Sequence, residues 1–575
     1  MHGMQLFAEQ SPGPQHLPHW SPKGSVDVRM DSSRFAKLPD ELLEAVIAYL
    51  DPRETVSFGR TSKRGNKLIH EPLVWKRHCM QEYDFWNEQS RERLRSNQHA
   101  DWHALFRARK VQDVEAAKLF EELLKSVQMR TSRMEKIAEM GYDVKDYLLR
   151  QRDETPDDGE DVLARRWHAN AILGLIHRKI AIEKWLRLQQ HRMVRLEEVL
   201  GAYDLFVLHG RHGDQTDIDA EFDRLANAVR SSDPEFDAWT IRRKAIAVCA
   251  YLREQRLIGT SPTESDYHAL RNNFLSHALF TSEHTSLPLQ TVAIYCAVAR
   301  RLGINAKPSN FPYHVHAVIE SPSDTTLDGA SRPRDRELDA CNPADVMHLD
   351  PWRSSEEIPR SHLTARLLQL GAPSSQHTSH LAATSNLEIT LRTSRNIMTS
   401  VQLLRDTGGT PENLTYPSLE DAWYAMLWSM LLLGESHHRR RQCLPYLVEH
   451  YQSHYPSDLG LIEQHVLPLF PPVDREHNVL LHVIEVARKA DALKPAPRPR
   501  PKQDEDVVKR KIGQYFRHRR FGYRAMVIGW SERCEANPEW IESQGVNRLP
   551  GGQGQPFYNV MRAVPSRTHY GLRSY

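Results

Sequence analysis

Three groups of residues in this sequence have types and spacings that could do chemistry. In the middle of the chain Cys296, His314, His316 and Asp350 offer a thiol, imidazoles and a carboxylate. A thiol acyl-transfer or protease-like site needs a thiolate at a helix N-terminus, a histidine within hydrogen-bond reach, and an Asp or Asn to orient it. Cys296 instead lies among Ile294, Ala297 and Val298 in an apolar helical pattern. Burial there raises a thiol pKa, so Cys296 reads as a core residue. Near the C-terminus Lys509, Arg510, Lys511, Arg517, His518, Arg519, Arg520 and Arg524 interleave with Tyr515, Phe516, Phe521 and Tyr523. Basic residues alternating with aromatics could track a phosphate backbone and stack bases, or hold an acidic peptide. Strand alternation explains the aromatics as core equally well, and both readings stand. The run His437-His438-Arg439-Arg440-Arg441 reads as a solvated charge run, because adjacent histidines on a helix point apart. No metal-ligand set and no cofactor motif emerges.

Several elements must position these groups. At 575 residues the chain exceeds a single core and should hold three or four domains. With 76 basic and 74 acidic side chains the net charge is +2, so nothing global steers the protein toward nucleic acid or a membrane, and any such binding is local. Cys79, Cys249, Cys296, Cys341, Cys443 and Cys534 are widely spaced with no Cys-x-x-Cys pair, against a zinc ribbon or a secreted disulfide framework. A reducing compartment, cytoplasmic and/or nuclear, is expected. Residues 1–33 are rich in Pro, His, Gly and Ser and read as disordered, with no signal-peptide core and no later membrane span.

From Leu38 the sequence LPDELLEAVIAYLDP predicts a helix starting at Pro39 with Asp40 and Glu41 in its first turn. Leu42, Leu43, Val46, Ile47 and Leu50 recur at three- and four-residue spacing. Asp51, Pro52 and Glu54 read as a cap, a first-turn proline and an acidic third position, starting a second helix whose apolar partners are Val56, Phe58, Leu68 and Ile69. A third helix opens at Pro72 and carries Trp75. This three-helix unit resembles the F-box, whose members dock on a Skp-type adaptor inside a cullin-RING ubiquitin ligase while the rest of the chain selects a substrate. By that resemblance Leu38, Pro39, Leu42, Leu43, Ile47 and Leu50 form the adaptor-binding surface, and Trp75 packs the bundle.

Residues 100–150 and 160–200 read as long helices forming a stalk or packed hairpin, broken by the acidic segment DETPDDGED. Beyond Leu200 the pattern becomes α+β: helices over Ile241–Leu252 and Pro288–Leu302, then strands at Val315–Ile319 and His348–Asp350. SLPLQTVAIYCAVARRLGI, NFPYHVHAVI and MHLDPW resemble the SirB-type transglutaminase-like family, a segment found joined to an F-box in one group of F-box-only proteins. Asp266–Asn273 falls where those relatives carry a Tyr- and Asn-containing helix. The resemblance implies that His314 and Asp350 match the catalytic His and Asp, and that the nucleophile position falls at or next to Pro288. The constellation is thus a remnant without its reacting atom. Strand alternation places His316 on the same face as His314.

Residues 361–493 return to apolar helices at Leu391–Leu404, Leu419–Leu433, Cys443–Tyr451, Leu459–Leu469 and Val479–Leu493, resembling a tetratricopeptide-like tail. Pro495, Pro497, Pro499 and Pro501 mark an extended linker. From Val508, KRKIGQYFRHRRFGYRAMVIGW and later PFYNV resemble the YccV-type, hemimethylated-DNA-binding family, a small SH3-like β-barrel. Relatives continue to another strand, so either the barrel lacks its closing strand or the sequence is incompletely described.

The fold expected is multidomain and mainly α: 1–33 disordered, 34–86 F-box, 97–200 helical linker, 201–360 transglutaminase-like, 361–493 tetratricopeptide-like helices, 494–507 linker, and 508–575 barrel. The resemblances imply a non-catalytic substrate receptor of an SCF-type ligase, partnered by a Skp-type adaptor, a cullin and a protein substrate. The alternatives are a cysteine-type acyl transferase, or a DNA-binding protein acting through Arg517, His518, Arg519, Arg520 and Tyr523.

Overall fold

A computed structural model describes residues 38–88, 90, 92, 101–157, 159, 161–208, 213–260, 263, 266–332, 339, 342–406, 417–434, 436–494, 508–519, 522–536 and 538–562. The expected disordered N-terminus, the proline-rich linker after Lys494, Cys341, Arg520, Phe521 and any closing strand beyond Arg562 lie outside these residues. The chain divides into two compact units, Met1–Leu493 and Lys494–Tyr575.

The first unit opens with four short helices where three were expected: α1 Asp40–Ile47, α2 Pro52–Gly59, α3 Lys63–Ile69 and α4 Pro72–Glu82. The extra break has a local cause. Gly59 ends α2 where an added Cβ would collide with Ile69, and the Ser62 hydroxyl then accepts from the Gly65 amide at 2.9 Å to start α3. At α2 the capping box forms as the sequence indicates: the Asp51 carboxylate accepts from Glu54 N at 2.7 Å, and Glu54 accepts from Asp51 N at 3.0 Å. Arg64 on α3 donates to the Leu38 carbonyl at 2.6 Å and pairs with Asp40, fastening the Leu-Pro start to the bundle.

Trp75 on α4 donates to the Ile69 carbonyl at 2.6 Å and stacks on His103, with ring centroids 4.1 Å apart. Together with Cys79, Tyr83, Trp86, Trp102 and Phe106 it forms a second small core between α4 and α5, Trp102–Lys125. Beside it lies the buried Arg109 of α5. Its guanidinium donates to Asp143 at 3.0 Å, to Asp146 at 2.7 Å and to the Phe85 carbonyl at 3.0 Å. The two carboxylates in turn accept amides of Asp84, Phe85 and Asn87, so the segment leaving the bundle is held rigidly to the body.

The expected 100–150 helix is interrupted at Ser126–Met129, where Met129 adopts a left-handed φ of 58°. Helix α6, Arg130–Glu139, has no cap of its own. Asp491, far along the chain, supplies it: its carboxylate accepts from Thr131 N at 2.8 Å and from the Ser132 hydroxyl at 2.8 Å, while its carbonyl accepts from Met129 N at 2.7 Å. Neither long helix is a stalk. Helix α7, Val162–Gln189, buries Ile172, Leu173, Ile182 and Trp185, though Leu163 and Trp167 at its start face outward.

One hydrophobic core runs from Ala116 to Ile484, shared by the linker, α+β and trailing helical segments. Within it Trp185 packs on Tyr203 and Phe206 of α8, Leu196–Val207. The Tyr203 hydroxyl reaches Thr390 O at 2.9 Å, and Arg178 of α7 forms a buried two-pronged pair with Asp458, both contacts at 2.6 Å. The longest trailing helices are Asn386–Asp406, Leu419–Leu433, His437–His454 and Arg475–Ala492. The His-Arg run lies on the first turns of the third of these, where Asp474 pairs with His437 and Arg441.

The α+β part places α9, Pro288–Arg301, ahead of an antiparallel sheet of β1 Asn305–Pro308, β2 Ala317–Glu320 and β3 Val346–Leu349, in the order β1-β2-β3. Gly303, at φ 78°, turns the chain from α9 into β1, a conformation that favours glycine. The second unit holds another antiparallel sheet, β4 Tyr515–Arg517, β5 Arg524–Ser531 and β6 Phe557–Arg562, with a bulge between Val527 and Gly529. Strands β4–β6 do not close a barrel among the described residues.

Candidate functional site

In the α+β part the structure brings His314 and Asp350 together. Pro288 and Leu289 open α9, and the hydroxyls of Ser286 and Thr291 lie 2.8 Å apart at that end. His314 follows Tyr313, whose φ of 64° is uncommon for a non-glycine residue, and its Nε2 lies 2.8 Å from Asp350 Oδ2. Trp352 lies beside them. Its ring edge meets His314 at 5.8 Å between centroids, and its indole N–H donates to the Ser286 carbonyl at 3.3 Å. Asn272 and Asn273, in the Asp266–Asn273 segment, brace this end from beneath. Asn272 O accepts from Leu287 N, Asn273 O accepts from the Gln290 amide at 3.0 Å, and the Thr285 hydroxyl donates to Asn272 Oδ1 at 3.0 Å. These are positioning roles; composition and periodicity hold no signal for them, because each partner comes from another turn.

The neighbouring thiols are poorly placed for reaction. Cys249 is buried and donates to the Ser354 carbonyl at 3.5 Å, and burial pushes its pKa up to about 12. Cys296 is 2 % exposed, and burial raises its pKa further. Cys249 lies close enough to Asp350 to feel its charge, which adds to the upward push of burial. The His314–Asp350 pair can orient and polarise a hydrogen-bonding group.

His316 differs from its expected position. The strand begins only at Ala317, so alternation does not reach back to His314, and the two imidazoles take different hydrogen-bond partners though His314 still acts on His316 through its charge. His316 is buried, bonded to Ser309 Oγ at 3.0 Å through Nδ1 and 3.2 Å from His348 Nδ1 through Nε2. Desolvation lowers both pKa values, that of His348 to about 4.

In the four-helix bundle, Leu43 and Ile47 are 2 % and 1 % exposed, packed on Leu68 and Ile69, with Leu38 and Leu50 half-buried against them. They hold the bundle together rather than face outward: three- and four-residue spacing describes two adjacent stripes of this segment, and this is the inner one. The outward apolar stripe one position earlier is Leu42, Val46 and Tyr49, at 52 %, 38 % and 89 % exposure; Pro39 is also exposed. Leu73 and Met80 are exposed on α4.

In the second unit Ala525 and Val527 point inward while Tyr515, Arg517, Arg519 and Arg524 are exposed. Arg517 stands directly opposite Arg524 across β4 and β5, and Tyr515 opposite Met526. His518 stacks on Tyr523 with ring centroids 4.8 Å apart. Two cations facing each other across a ladder repel, an arrangement that an anionic partner would relieve.

Three family models match separate stretches of the chain. Residues 35–81 match a family model described as F-box-like, residues 216–395 one of the transglutaminase-like superfamily, and residues 508–573 one described as hemimethylated DNA-binding protein YccV like. The chain is similar to "F-box only protein 21" of Pongo abelii, at 26% identity over 307 residues, and to the proteins of the same name in Mus musculus, at 25%, and Homo sapiens, at 24%. The first of these alignments covers 52% of this chain and 43% of the relative, so the chain matches less than half the length of that protein. No solved structure matches. No helix among the described residues is long and apolar enough to cross a membrane.

Proposed function

We propose that this multidomain F-box protein, which also carries transglutaminase-like and YccV-like segments, is the substrate-receptor subunit of an SCF-type cullin-RING ubiquitin ligase. The observation that carries the reading is the outward stripe Leu42, Val46 and Tyr49 on a bundle whose own core is already filled by Leu43, Ile47, Leu68 and Ile69. An apolar stripe with no internal partner fits docking on an adaptor helix. The buried Trp75 cluster and the Arg109 network then make the body a rigid arm, so that a bound target is held near the ubiquitin-charged enzyme and its effective concentration rises. The remnant around His314 and Asp350 serves in binding, not covalent chemistry. The arm works in the reducing cytoplasm or nucleus.

The test is co-purification of the full chain with a Skp-type adaptor and a cullin, beside a Leu42→Asp/Val46→Asp variant. Both side chains are exposed, so the variant keeps its fold. Each loses about 1.5–3 kcal/mol of apolar burial in the complex, and retention of the adaptor should fall about a hundredfold or more. Equal retention by the two forms would overturn the reading.

A second reading rests on the exposed Arg517, Arg519 and Arg524 in the segment matched to the hemimethylated-DNA-binding model: the second unit contacts a phosphate backbone.

A further inference from the structure

Away from the sites above, three side chains meet between two of the trailing helices. Glu420 lies in the first turn of Leu419–Leu433, and His450 and His454 stand one turn apart on His437–His454, so they share a face. Their ring centroids are 4.5 Å apart, and one ligand atom from each of the three residues lies within 4.8 Å of the others.

The hydrogen bonding of His450 decides what this group can hold. Its Nε2 is 2.9 Å from the backbone carbonyl of Glu420. A carbonyl only accepts, so Nε2 carries the proton and Nδ1 of the neutral ring is bare. The bare Nδ1 faces Glu420 Oε2 at 3.7 Å. Two lone-pair atoms at that distance make no hydrogen bond and repel unless a cation lies between them. Histidines bound to metals commonly give their second N–H to a carbonyl or carboxylate, which fixes the tautomer and aims the ligand nitrogen.

The nearby charges are few. Arg405 approaches Glu420 Oε2 at 3.7 Å but is itself half-exposed and lies over the Trp423 ring. The carboxylate of Asp421 is engaged by the Tyr455 hydroxyl.

We propose that Glu420, His450 and His454 form a binding site for a zinc-class divalent cation, with a fourth position open to water or to a donor from a bound protein. Two imidazoles and a carboxylate suit Zn²⁺, at about 2.0–2.2 Å from each ligand atom. Reaching that geometry requires the ligand atoms to close by about an ångström, which the solvent-facing ends of Glu420 and His454 allow. The ion would pin the two helices to each other.

The test titrates metal-free full chain with Zn²⁺, and separately with Co²⁺, whose visible absorption reports tetrahedral coordination. The wild type should bind one equivalent more than His454→Ala, and Glu420→Gln should weaken that equivalent about tenfold or more. Circular dichroism checks that both variants remain folded. Identical uptake by all three proteins would place any bound ion elsewhere among the 30 histidines and overturn the site. No uptake by the wild type at micromolar metal, or loss in one variant without the other, would overturn it too.

Discussion

Replacing Arg109 with methionine should loosen the junction between the four-helix bundle and the body. Methionine keeps most of the side-chain stem, so what is lost is the guanidinium. That group is 1 % exposed, pairs with Asp143 and Asp146, and lies over the rings of Tyr83 at 4.4 Å and Trp86 at 5.3 Å. Removing one member of a buried ion pair costs about 3–5 kcal/mol, because the partner is left charged and unpaired. Lost cation–π attraction adds about 1–2 kcal/mol, while the amides still donated by Asp84, Phe85 and Asn87 recover part of it. A local cost of about 4 kcal/mol corresponds to about a thousandfold faster opening. Hydrogen exchange at the amides of residues 84, 85 and 87 measures it directly. Burial already raises the Asp146 pKa with Arg109 in place. Without Arg109 it rises further, so the stability contribution of the protonated carboxyl is lost as pH climbs through that folded value. The deficit should therefore be largest above that folded value and shrink as pH falls below it. Adding Asp146→Asn to the variant should restore part of the loss. Exchange within tenfold of wild type at residue 87 would refute the role given to Arg109.

Other consequences are open to measurement. His348 and His316 have folded pKa values below the ordinary histidine value, so the stability they confer is present above about pH 6.5 and lost as pH falls toward about 4. Relative to His348→Asn, the wild type should lose up to about 1.4 kcal/mol more per pH unit over that range, and parallel melting profiles would contradict this. Cys249 and Cys296 should label slowly with a thiol probe at neutral pH in the folded chain; rapid labelling abolished by Cys296→Ala would revive the acyl-transfer alternative. If the second unit binds duplex DNA, charge reversal at Arg517 and Arg519 in the full chain should lower the slope of log affinity against log salt by about 0.9 for each phosphate no longer neutralised; an unchanged slope would exclude these side chains.

What could be read from sequence was local. Asp51, Pro52 and Glu54 announce a capping box because all its partners lie within four residues, and the apolar helix Leu419–Leu433 has the bounds its periodicity indicates. The His314–Asp350 contact was legible only through a family pattern, since the partners are 36 residues apart. Period alone grouped Leu42 and Val46 with Leu43 and Ile47, and only the structure separates the exposed pair from the buried one. The bare nitrogen of His450 was illegible, because it is fixed by a backbone carbonyl 30 residues away.

The Asp491 cap on helix α6 has a consequence for synthesis. The amides it satisfies leave the ribosome 360 residues ahead of it. At about 5–20 residues per second, roughly 20–70 s pass before the acceptor emerges. Through that interval the start of α6 depends on water or on a chaperone, and the large unit completes its fold only as residue 491 arrives. A nascent chain stalled before that point should be cut by protease near residues 126–132, and one released after it should resist.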